Sequence, residues 1–328
     1  MGGQMMMFTR RRAAGLLALP LAAPGLARAQ AFPQDRPIRA VVNFPPGGTA
    51  DTVARLIAPA LSERLGRQVV VENRGGASGL VGAEAVARAT PDGHTLLFAL
   101  STHAVNPHMV PRMPFDTLAD FAPVGFIGGA PVLMAAHPSS PFRTLADVIA
   151  AGRVGEGPHY GTIGNGSTGH LMMAQLSTLT GARFTHVPFR GGGPAVQAAL
   201  GGQVPLVITS TVAVGPQVQA GNLRGVALSG AERSAVHPSV PTVAEQGFPG
   251  FAADSWVGVL APARTPEAAV ARINADLGAV LATPAIQERL AGIGMTPRGM
   301  TPAEFGAFVA SEYERWGKVV REHRITSD

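Results

Sequence analysis

Gly164-Asn165-Gly166-Ser167-Thr168-Gly169 spells G-x-G-x-x-G between an apolar run and a helix-patterned run. That pattern is formally the dinucleotide fingerprint, which needs an acidic residue about 20 positions on to hold the ribose hydroxyls. No Asp or Glu occurs from Gly157 through Ala231, which argues against nicotinamide and flavin cofactors. The same residues suit another chemistry. Glycines let the backbone approach a ligand closely, and the helix that follows offers free N–H groups and partial positive charge to a carboxylate. Ser167, Thr168 and His170 add side-chain donors, and Arg183, Arg190 and Arg224 make the acid-free stretch locally positive. A tight packing turn is the plain alternative. Phe44-Pro45-Pro46-Gly47-Gly48-Thr49-Ala50-Asp51 is a matching loop earlier in the chain, with Gly47 and Gly48 able to expose N–H groups and Thr49 a donor. Asp51 is either a helix N-cap or a ligand acceptor.

Other chemistries fit poorly. Asn165-Gly166-Ser167-Thr168-Gly169 misses the G-x-S-x-G nucleophile elbow at its first position. The nine histidines are scattered, with no H-E-x-x-H and no clustered carboxylates, so no metal site is expected. His103 and His108 flank Asn106-Pro107 in what reads as a loop. The absence of cysteine removes disulfides, thiolate metal sites and cysteine nucleophiles together.

The elements that must position these residues alternate. A strand over 38–44 runs into the first loop, and a helix over 51–65 has apolar residues Val53, Leu56, Ile57, Ala60 and Leu61 on one face. Gly66 stops that helix, and Pro59 inside it predicts a kink. A strand over 68–72, a glycine-rich loop, a helix over 80–89 and a strand over 94–100 complete a βαβαβ unit with a parallel, doubly wound sheet. The rhythm restarts with strands over 132–136, 159–162, 184–187 and 204–209 and helices over 170–179 and 194–200. The tail is helical: Thr301-Pro302-Ala303-Glu304 is a capping box with proline at the first helical position.

The 328 residues predict roughly two domains. Basic residues outnumber acidic ones by 26 to 21, but Arg10, Arg11, Arg12 and Arg28 all lie in the first 29 residues, leaving 22 to 21. That near-neutral remainder lacks the basic surplus of a nucleic-acid binder. Arg10-Arg11-Arg12, an apolar stretch over 13–26 and Ala27-Arg28-Ala29 read as a cleaved secretory signal, with a membrane anchor or disordered tail as the alternative. The apolar stretch is too short for the roughly 30 Å of bilayer hydrocarbon, and Pro20 and Pro24 interrupt it. Paired arginines after Thr9 hint at the twin-arginine route, and the general secretory route remains open. The mature chain is then soluble and exported, starting near Gln30.

Five segments together resemble the periplasmic solute-binding proteins of tripartite tricarboxylate transporters, the TctC or Bug (Bordetella uptake gene) family. They are FPPGGTAD (44–51), VVENRGGASGLVGAEAVARATPDGHTLL (70–97), YGTIGNGSTGHL (160–171), HVPFRGGGPAVQAAL (186–200), and VPTVAEQGFPGF (240–251) through Trp256 to LAPARTP (260–266). Asn43 and Gly75 stand where proline is common, Gln175 replaces a frequent glutamate and Pro205 a frequent aspartate. The resemblance implies an α/β, two-lobed periplasmic-binding-protein clamshell, each lobe a doubly wound mixed sheet flanked by helices. Residues 30–131 plus 254–328 would form lobe 1 and 132–253 lobe 2, with the tail helices packed back on lobe 1. It implies a small organic anion in the cleft, held by Phe44, Gly47, Gly48, Thr49 and Asp51 on one side. Thr162, Gly166, Ser167, Thr168 and His170 would meet it on the other. Ser101, Thr102, His103 and Asn106 would line the mouth, with Arg190 and Asp254 near the hinge. It further implies a monomer without cofactor or catalysis that hands its ligand to membrane permease subunits. A sensor-kinase receptor reading the same clamshell is the alternative partner.

Overall fold

The computed structural model describes residues 1–4 and 32–325. The secretory signal expected over 1–29 therefore lies almost wholly outside the described residues. The chain runs β1 (Ile38–Val42), α1 (Thr49–Leu65), β2 (Val69–Asn73), α2 (Leu80–Ala87), β3 (Thr95–Leu100) and α3 (Thr102–Met109). It continues through β4 (Phe121–Ala136), α4 (Leu145–Gly152), β5 (His159–Thr162), α5 (Thr168–Thr180), β6 (Thr185–Pro188) and α6 (Gly192–Leu200). Then come β7 (Leu206–Ser210), α7 (Thr211–Gln219), β8 (Arg224–Leu228), β9 (Asp254–Pro262), α8 (Glu267–Leu281), α9 (Pro284–Gly292), β10 (Thr296–Pro297) and α10 (Pro302–Glu322).

The strands pair in the order β2-β1-β3-β9-β4-β7-β5-β6, with β8 and β10 also on β4. β2, β1 and β3 are mutually parallel, as are β7, β5 and β6, while β9 and β4 run antiparallel between the two groups. The sixteen residues of β4 join the groups. Phe121 to Pro131 pair with β9, and Val132 to Ala136 pair with β7. β1 and β3 are mostly apolar because both of their faces are covered, and Arg39, the one charged residue of β1, pairs with Glu72 of β2 at 2.8 Å. Ile38, Ala40, Leu96 and Phe98 pack toward α1 and α8, and Val41, Leu97 and Ala99 pack toward α2 and α10.

Gly66 ends α1 in the left-handed conformation at φ +66°, and the helix continues past Pro59 to reach it. His103 and His108 lie on α3 rather than in a loop. The Asn-Pro pair suggested a break there, but burial of Ala104, Val105 and Met109 holds the helix together around Pro107. The capping box forms, with the Glu304 N–H donating to Thr301 Oγ1 at 3.2 Å and the Thr301 N–H donating to Glu304 Oε2 at 2.8 Å. Phe305 and Val309 pack on Phe126 and Trp256, beside the β3–β9 pair. The second half of α10 lies on α3, where the Tyr313 carbonyl meets His108 Nε2 at 2.8 Å, and Trp316, Val320 and then Ile325 share one apolar cluster with Val105 and Met109 of α3 and with Val132, Met134, Leu171 and Met172. A helix of 21 residues is about 32 Å long, more than one group of strands can cover.

Candidate functional site

Five strand ends point at one place. α1, α3, α5, α6 and α7 begin directly after β1, β3, β5, β6 and β7, so their N-terminal N–H groups gather at the carboxyl ends of the parallel strands. Such an edge is where open α/β sheets hold ligands, and helix N-termini favour anions. Hydroxyls stitch the two groups of strands together there. Thr49 Oγ1 lies 2.6 Å from Ser210 Oγ, and Ser101 Oγ lies 2.9 Å from Thr168 Oγ1 and 3.4 Å from Ser255 Oγ. Ser167 caps α5, accepting the His170 N–H at 3.4 Å. Between these groups is a small cavity of about 10 Å³, room for about one water. Thr49, Ser167, Thr168, Thr209, Ser210 and Ser255 supply its hydroxyls, and Val132, Ile163 and Ile208 its apolar wall. Beside it the two glycine loops touch backbone to backbone. A Cβ on Gly193 would stand 2.7 Å from the Pro46 carbonyl oxygen, and one on Gly192 would stand 3.2 Å from the Gly48 Cα.

Residues 53–325 match the model of the TctC family, the tripartite tricarboxylate transporter family receptor. The chain belongs to this family. It is 37% identical to the TctC relative BugT of Bordetella pertussis over 290 residues, 88% of this chain and 89% of BugT. Among solved TctC-like structures, R. palustris Rpa4515 with adipate shares 36% identity at a TM-score of 0.87, covering 90% of this chain and 99% of that one. MatC (Rpa3494) from Rhodopseudomonas palustris with bound malate shares 34% at 0.83, covering 88% and 100%. The TctC fold is thus a mixed sheet with flanking helices, shared with periplasmic binding proteins.

The candidate site divides the expected residues into two sets. Thr49, Ser101, Ser167 and Thr168 meet at the cavity. Gly47 and Gly48 lie in the loop that faces Gly192 and Gly193, while Gly166 packs on Val105 and Met109 of α3. The others stand apart. Phe44 is buried in the core, and its carbonyl accepts from Asn73 Nδ2 at 3.0 Å. Asp51 is not the cap of α1, a position held by Gly48. Its carboxylate accepts from the Gly47 N–H at 3.0 Å, Arg55 Nε at 2.9 Å and Asn73 Nδ2 at 2.9 Å, bracing the loop from behind. Thr102 is buried beside Ser101, and its hydroxyl has no partner among the described residues. Asn106 donates to the Ser78 carbonyl at 3.1 Å. Thr162 donates to the Gly164 carbonyl and meets His186 Nε2 at 2.7 Å, while His170 stacks on His186 at 4.1 Å and accepts the Gly166 N–H at 3.2 Å. These residues support the loop without lining the cavity. Arg190 is exposed and forms no ion pair among the described residues. Asp254 faces a separate groove with Pro131 and Gly230.

Thr209, Ser210 and Ser255 were not expected at the cavity. Ser210 carried a readable signal, since it ends a strand immediately before a helix as Ser101 does. Ser255 carried none, because its place depends on β9 pairing between β3 and β4.

His103 points away from the cavity. It lies edge-on to Phe121 at 4.8 Å and stacks on Phe115 at 6.0 Å, and burial pushes its pKa down to about 4. Burial, with the neighbouring His170, pushes His186 down to about 3. A histidine whose folded pKa lies below its unfolded value keeps its full contribution above about pH 6.5. That contribution is lost as the unfolded chain takes up the proton below that pH, down to the folded pKa. Stability is therefore expected to fall by about 3 kcal/mol through His103 alone between about pH 6.5 and 4. Urea unfolding at stepped pH measures this, and His103→Asn should remove about one proton of uptake from that window. An unchanged slope in the variant would show that His103 titrates normally in the folded protein.

Proposed function

We propose that this protein is an exported solute-binding protein that captures a small organic carboxylate and delivers it to the membrane permease of a tripartite tricarboxylate transporter. The observation that carries this reading is the gathering of the N-terminal ends of α1, α5 and α7 and a set of hydroxyls around one cavity without an acidic lining residue. Each helix N-terminus favours a nearby anion by about 0.3–1 kcal/mol, and more where partly buried. Adipate in Rpa4515 and malate in MatC support the ligand class. No titratable side chain lines the cavity, so general acid–base chemistry has no agent there, and the protein acts by binding alone.

In this reading residues 30–131 plus 254–328 and residues 132–253 are lobes that part to admit the ligand and close on it. The cavity, about 10 Å³ as it stands, supports such a motion, since ligand pockets run to about 300–1,000 Å³. The leader over 1–29 carries the chain to the periplasm, where it works as a monomer. Titration calorimetry with short-chain mono-, di- and tricarboxylates is expected to show saturable binding to one class. Ser167→Phe should abolish it with the far-ultraviolet circular dichroism unchanged. Full affinity in that variant moves the site elsewhere, and silence across the whole panel sinks the carboxylate reading.

A further inference from the structure

We infer that the cavity discriminates against an α-ammonium group, so that its ligands are carboxylates without an amino substituent and not amino acids. This rests on the carboxylate reading above and narrows it. The elements that wall the cavity are α1, β4, α5, β7 and β9. They carry three acidic residues between them: Asp51, Glu63 and Asp254. None is placed to receive a cation. Glu63 lies fourteen residues along α1 from Thr49, about 21 Å away at the helical rise. Asp254 directly precedes Ser255 in a strand, so the two side chains leave opposite faces, and Asp254 lines the groove with Pro131 and Gly230. Asp51 is nearest in sequence, but its two oxygens are already held by the Gly47 N–H, Asn73 and the paired Arg55.

What the cavity does present is of the opposite sign. The N-terminal amides of α1 and α5 converge on it, and their partial positive charge repels an ammonium as it attracts a carboxylate. The hydroxyls can accept hydrogen bonds but carry no compensating charge. A buried ammonium needs a paired charge to offset its lost hydration, and none is within the lining. An aliphatic middle meets Val132, Ile163 and Ile208 instead.

Matched pairs test this directly at neutral pH with ligand-free protein. Succinate against L-aspartate, glutarate against L-glutamate, and adipate against L-2-aminoadipate differ by the ammonium alone. In the pair whose length fits best, the plain acid is expected to bind about a hundredfold or more tighter. A ratio under about tenfold, or preference for the amino member, overturns the discrimination and leaves the carboxylate reading standing. Failure of every member of every pair overturns both.

Discussion

Gly193→Ala is expected to weaken ligand binding by roughly 5- to 150-fold while leaving the ligand-free protein at least as stable as before. The two effects have separate causes. Gly193 is in the first turn of α6, where alanine is favoured over glycine by about 0.5–1 kcal/mol. Its missing Cβ, however, is what lets the loop before α6 lie against the loop before α1. An added methyl carbon would stand 2.7 Å from the Pro46 carbonyl oxygen, a contact with backbone that no side-chain rotation can relieve. Overpacking of this kind costs about 1–3 kcal/mol, and in the proposed two-lobe reading it falls on the closed arrangement alone. Calorimetric titration and thermal unfolding of the same preparation separate the two. Undiminished affinity would show that these loops do not close on the ligand.

Glu312→Leu is expected to destabilise the fold by about 3–5 kcal/mol, a large part of the 5–15 kcal/mol that holds a typical domain. Glu312 is buried in the middle of α10. Its Oε2 accepts from Trp316 Nε1 at 2.8 Å and from Trp256 Nε1 at 3.3 Å, and its Oε1 accepts from Arg315 Nη1 at 3.2 Å. One carboxylate thus ties the tail helix to β9 at the place where α10 passes from one group of strands to the other. Leucine leaves two buried indole N–H groups without an acceptor, each costing about 1–3 kcal/mol. Glu312→Gln keeps one carbonyl oxygen for them and should lose less than half as much. Urea unfolding followed by tryptophan fluorescence reports on both indoles. Equal losses in the two variants would mean that packing, not hydrogen bonding, sets the contribution of this position.

Much of this protein is readable from local signals. β1 and β3 are short, mostly apolar runs, α1 keeps one apolar face and ends on a glycine, and Thr301 and Glu304 announce the start of α10. These depend on residues within a few positions of one another, so their physics is complete in the sequence. The strand-loop-helix junctions are local too. Thr49, Ser101, Ser167 and Thr168 could therefore be picked out as hydroxyls near helix starts, and they do meet.

The tertiary structure decided which polar residues face the cavity. Asp51, His103 and His170 carry the right chemistry in the right loops and helices, yet each side chain is engaged elsewhere. Asp51 holds the back of its loop, His103 sits between phenylalanines, and His170 stacks on His186. Ser255 and Ser210 enter the site only because β9 and β7 pair on either side of β4. The passage of α10 across both groups of strands likewise follows from which apolar surfaces remained uncovered after the sheet had formed. The sequence by itself determined most of the elements, their order and the hydroxyl-rich helix starts, because hydrogen bonding and apolar periodicity act over neighbouring residues, whereas α3 around Pro107 needed the burial of Ala104, Val105 and Met109. The direction each polar side chain takes is set by partners as far as 212 positions away, and those partners exist only once the chain has folded.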